Sequence, residues 1–122
     1  MPPSRVVVSD PGTDGPTRTA ADAVARALRD AGLEVVRLRD APTAAVAAVV
    51  LQEDAAAVLL AGASAAATAA LEEALGAAGC GDVLVLAPGT APGDVVAAVR
   101  AASAGWPGDQ GVSRRTGSRG PR

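Results

Sequence analysis

The chain has no histidine, lysine, asparagine, isoleucine, phenylalanine or tyrosine, and only one cysteine and one tryptophan. Each absence removes something. Without histidine there is no Ser-His-Asp triad, no Cys-His pair and no histidine-based metal site. A single thiol, Cys80, excludes an intramolecular disulfide. It lies in Ala78-Gly79-Cys80-Gly81, which reads as a turn, and a spare thiol there reads as inert. With Trp106 as the only aromatic residue, the core must come from alanine, valine and leucine. Burial contributes roughly 25 cal/mol per Å², so small side chains predict modest stability unless a partner covers one face. No apolar run reaches the ~20 residues of a membrane span. The longest runs, 44–51 and 55–61, are separated by Gln52, Glu53 and Asp54. No basic stretch followed by an apolar one marks a secretory signal, and a cytoplasmic location is expected.

What is present is 122 residues, enough for one domain, with 49% hydrophobic residues, mostly alanine. All basic residues are arginine, a bias expected of a GC-rich genome. Formal net charge is −2 and unevenly spread. Residues 1–110 hold seven arginines against all thirteen acids, a net of −6, whereas 111–122 hold four arginines and no acid. An acidic body argues against a nucleic-acid surface. The Gly-, Ser- and Arg-rich segment from Gly111 has almost no apolar residue and is expected to be disordered. The organisation read here is therefore an α/β domain over 1–104 and a tail over 105–122.

Four strand–helix steps follow from the periodicity. Arg5–Ser9 is a short β-branched run, the pattern of a strand covered on both faces. Thr17–Ala31 places Ala21, Val24, Ala25, Leu28 and Ala31 on one helical stripe, ended by Gly32. Glu34–Leu38 reads as an edge strand because of its arginines, and Thr43–Gln52 as a helix begun by Thr43. Ala56–Ala61 is the third strand. Ser64 caps a helix over Ala65–Ala77, which Gly79 and Gly81 stop. Asp82–Leu86 is the fourth strand, and Gly93–Ala104 is a helix opened by Pro92 or Asp94. Alternating elements imply parallel pairing with right-handed crossovers. The favoured order is 2-1-3-4, a flavodoxin-like (Rossmann-like) sheet with helices on both faces and the fifth strand weak or missing.

In a sheet of that order the crevice at the carboxyl ends of the first and third strands is the usual ligand site. Three loops converge there: Asp10–Thr19, Gly62–Ala65 and Ala87–Gly93. Their glycines let a ligand approach the backbone. Thr13, Thr17, Thr19, Ser64 and Thr90 supply hydroxyls, and the helix starts add partial positive charge suited to a phosphate or amide. The same residue types also make ordinary turns and caps. Asp10 and Asp14 are either oxygen ligands for a hard cation or caps of the turn and helix. Neither a Walker A loop nor a dinucleotide fingerprint is present. Glu72 and Glu73 read as a solvated helix face.

Residues 5–104 resemble the cobalamin-binding domain of methylmalonyl-CoA mutase and related carbon-skeleton mutases. The resemblance is carried by Arg5-Val6-Val7-Val8-Ser9 through Gly12-Thr13-Asp14-Gly15-Pro16-Thr17-Arg18-Thr19, by Ala20–Val24, by Asp30–Val35 and by Gly81–Leu86. The family's Asp-x-His-x-x-Gly motif keeps its aspartate as Asp14, but Pro16 stands at the histidine and Thr19 at the glycine. Its Ser-x-Leu motif is reduced to Gly62-Ala63-Ser64-Ala65, and its Gly-Gly pair becomes Pro88-Gly89.

The resemblance implies a cofactor site at Asp14, Gly15, Pro16, Thr17, Thr19, Ser64, Pro88 and Gly89. In the family the aspartate holds the histidine that ligates cobalt. Proline offers no lone pair, so cobalamin bound here is not held through a histidine. The expectation is a stand-alone cobalamin-binding-like domain that is not catalytic by itself. It would be an accessory or small subunit of a mutase-type isomerase, paired with a large subunit or with itself, or a binder of a corrinoid that keeps its own base. The alternatives are a ligand-free interaction module and a flavodoxin-like binder of phosphate or flavin.

Overall fold

Three consecutive valines between polar residues make Arg5–Asp10 the central strand, and the other elements assemble around it. The computed structural model describes residues 4–10 and 15–104. The strands are β1 (Arg5–Asp10), β2 (Glu34–Arg39), β3 (Ala57–Leu60) and β4 (Leu84–Leu86). The helices are α1 (Gly15–Asp30), α2 (Thr43–Glu53), α3 (Ala65–Ala77) and α4 (Pro92–Ala104). The sheet runs β2-β1-β3-β4 with every pairing parallel. This is the flavodoxin-like α/β arrangement expected from the alternation of elements. The segment read as a disordered tail, with Trp106, lies outside the described residues.

The strand period of two divides the core. Val6, Val8, Ala57, Leu59 and Leu86 face α1 and α4, meeting Val24, Leu28, Val95 and Val99. Val7, Val58 and Leu60 face the other way, onto Val46, Val50, Leu71 and Leu75 of α2 and α3. In register, Val8 lies beside Arg37, Asp10 beside Arg39, and Val7 beside Val58. The two cores are separated only by the sheet, and small side chains fill both.

Some boundaries differ from the sequence expectation. α1 begins at Gly15, two residues before the expected start at Thr17, so Gly15 and Pro16 are helical as well. Pro16 fits that first turn because the N–H it lacks has no helical acceptor there. Thr43 does not cap α2: Pro42 holds the cap position and no side chain bonds there. β4 starts at Leu84, because the preceding residues turn back, with Val83 N–H donating to Cys80 O at 3.1 Å. Ser64 does cap α3, accepting from Ala67 N–H at 3.1 Å.

Three helices end in the same way. After α1, Leu33 N–H reaches Leu28 O and Gly32 N–H reaches Arg29 O. After α3, Cys80 N–H reaches Leu75 O and Gly79 N–H reaches Gly76 O. After α2, Ala55 N–H reaches Val50 O and Asp54 N–H reaches Leu51 O. This is the Schellman pattern. Its left-handed residue is glycine twice but Asp54, at φ 53°, the third time. Asp54 also places a negative charge at the negative end of α2. Asp54→Gly is therefore expected to stabilise the protein by about 0.5–1 kcal/mol. Urea denaturation reads this as a higher midpoint with unchanged slope, and a lower midpoint contradicts it.

Candidate functional site

The parallel sheet brings the carboxyl ends of β1, β3 and β4 to one side, with the amino ends of α1, α3 and α4 above them. Those helix ends give the region a partial positive potential. Ser9 and Asp10 end β1 and are both buried, each 2% exposed. Backbone bonds hold that strand end from both neighbours. Ala61 N–H donates to Ser9 O at 2.8 Å, and Asp40 N–H donates to Asp10 O at 2.8 Å.

Asp10 does not reach outward as a cation ligand. Its carboxylate shares the α1 face with Arg37 of β2, whose Nη2 lies 2.5 Å from Asp10 Oδ2. The Arg37 guanidinium also meets Asp22 of α1, with Nη2 to Oδ1 at 3.1 Å. Burial of a charge is tolerated only where it is paired and hydrogen-bonded, and both partners here are. Among the described residues, no group of three or more His, Cys, Asp or Glu is placed to hold a metal ion.

Beside the carboxyl ends of β1 and β3, α1 and the turn after β3 are in direct contact. Gly62, in the turn after β3, has φ +70°, and a Cβ built on it would lie 2.6 Å from Thr17 Cγ2 and 3.1 Å from Thr17 Oγ1. Thr17 of α1 therefore packs on the glycine backbone where a ligand of the switch point would enter. This explains the glycine. The turn needs a left-handed residue, and the threonine leaves no room for a side chain.

An open cleft of about 240 Å³ lies beside this contact. Ala20, Ala23 and Val24 of α1 form one wall, Leu59 and Ala61 the floor, and residues 88–92 the other wall. No charged side chain lines it. The Thr90 hydroxyl is committed within its own loop, donating to Ala87 O at 2.7 Å.

Of the residues expected in a cofactor site, Pro88 and Gly89 line this cleft, and Thr17 packs on Gly62 beside it. Gly15, Pro16 and Thr19 are exposed on the first turns of α1. Ser64 is exposed and spent on capping α3. Asp14 and Thr13 lie outside the described residues. Sequence reasoning missed the Asp10–Arg37–Asp22 cluster and the alanine wall of α1. The signal for the cluster was an arginine two positions from Val35, hence on the covered face of the edge strand.

Among the described residues, no helix is long and apolar enough to cross a membrane. No family model and no curated protein matches the chain.

Proposed function

We propose that this chain is a cobalamin-binding-like α/β domain that does not take the cofactor through a histidine. We further propose that it serves as an accessory or small subunit of a mutase-type isomerase. The observation that carries this reading is Thr17 packed on Gly62 in a chain without histidine. The strand order 2-1-3-4 and the match of Arg5–Asp10 and Leu84–Leu86 to strands of the sheet support the likeness of scaffold.

The residues present do not fit cobalamin held in the family's manner. No imidazole exists to ligate cobalt. At the end of β3, Thr17 packs directly on Gly62. The cleft lined by described residues, about 240 Å³, is below the roughly 300–1,000 Å³ of ordinary small-molecule pockets. Titration with hydroxocobalamin and adenosylcobalamin is therefore expected to leave the visible spectrum unchanged. No corrinoid should co-elute on gel filtration at ~100 μM, a limit worth about 5.5 kcal/mol. A spectral shift with co-elution would show a corrinoid bound with its own base and overturn the cofactor-free reading.

A subunit role is favoured by the outer surface of α2. Leu51 is 54% exposed, and Ala44 and Ala48 are exposed on the same helical face. That pattern equally suits a ligand-free interaction module with another partner. Affinity purification of the tagged chain from its native host separates the two. Recovery of a mutase-type large subunit in stoichiometric amount is expected, and stoichiometric recovery of an unrelated protein alone sinks the mutase assignment.

A further inference from the structure

Arg37 differs from the chain's other paired arginines. Its side chain is 12% exposed, against 46% for Arg5 and 56% for Arg39. Every nitrogen of its guanidinium is used. Nε donates to Asp22 Oδ1 at 3.2 Å, and Nη1 to Leu38 O at 2.7 Å and Val8 O at 3.4 Å. Nη2 donates to Asp10 Oδ2 and lies 3.1 Å from Asp22 Oδ1. One side chain thus ties the carboxyl ends of β1 and β2 to α1. Only the planar five-donor fork of arginine spans these acceptors, and an ammonium group does not.

The position of Asp22 on α1 gives this tie a consequence. At about 100° per residue, Ala20 and Val24 project from α1 nearly opposite to Asp22. Asp22 faces the β2 edge, whereas Ala20, Ala23 and Val24 form the cleft wall facing Pro88 and Pro92. Packing alone favours closing such a cleft, because its two walls are methyl groups and proline rings. We propose that Arg37 is a positioning residue. It draws α1 toward β2, away from the β4–α4 loop, and so keeps the cleft open. The inference rests on the geometry of α1 and is independent of what, if anything, the cleft or the surface binds.

The test uses Arg37→Lys, which keeps the charge but loses the fork, and Asp22→Asn, which weakens the arm to α1 together with the longer Arg39–Asp22 pair at 3.7 Å. Asp22 is 51% exposed, so the second variant should fold even if the first does not. Methyl NMR should show cross-peaks from Ala20 and Ala23 to Pro88 or Pro92 strengthened at least about twofold in both variants. Amide exchange over residues 19–25 should rise at least about threefold relative to the amides of α3. Cross-peaks and α1 exchange unchanged from the parent overturn the proposal. So does exchange that rises equally in α1 and α3, which would make Arg37 a contributor to overall stability only.

Discussion

Leu71→Ala is expected to lower the free energy of unfolding by about 2–5 kcal/mol. α3 attaches to the sheet through two buried leucines, Leu71 at 0% and Leu75 at 2% exposure. Leu71 belongs to the cluster with Val46, Val50, Val58 and Leu60. Those neighbours are β-branched or already packed against the sheet, with one dominant rotamer each for the valines. They have little freedom to collapse into the space left by an isobutyl group, so the cavity term persists. A small domain has about 5–15 kcal/mol in all, so a loss of this size is a large share of the total. Urea unfolding followed by far-UV circular dichroism reads the loss as a shift in midpoint at constant slope. A loss below about 1 kcal/mol would show that α3 repacks around the vacancy.

The second large effect is at the turn after β3. Gly62→Val meets two penalties of different origin. A β-branched residue at φ +70° costs about 1–3 kcal/mol in backbone strain. Its Cβ also falls 2.6 Å from Thr17 Cγ2, and overpacking of this kind costs about 1–3 kcal/mol. The sum is about 2–6 kcal/mol. A double-mutant cycle separates the two terms. Thr17→Gly in a Gly62→Ala background should recover the contact penalty and leave the strain. Additive effects of the two substitutions would show that Thr17 and Gly62 do not share the space.

Much of this fold is legible in the residues because the signals are local. The valines of β1, the apolar stripe of α1 and the Ser64 cap each act within a few positions. Alternation of strands and helices then restricts the connections to right-handed parallel crossovers. The site is less legible because its decisive contacts join distant segments. Thr17 meets Gly62, and Arg37 meets both Asp10 and Asp22. Neither pairing follows from spacing, since each depends on the register between strands. Arg37 looks like ordinary edge-strand charge until Val8 is known to be its neighbour. Asp10 looks like a loop acid until β1 is seen to extend through it. Helix α1 takes in Gly15 and Pro16 ahead of the expected start at Thr17, because proline suits the first helical turn, where its missing N–H has no acceptor.

The order β2-β1-β3-β4 has a consequence for how the chain is made. The strand that must be flanked on both sides is the first to be synthesised, and its partner β3 begins at Ala57. At about 5–20 residues per second, the ribosome takes roughly 2–10 s to move from β1 to β3. Throughout that interval the edge of Val6, Val7 and Val8 that later pairs with β3 has no partner strand. The sheet therefore cannot close around its central strand until the residues through Leu60 have been made.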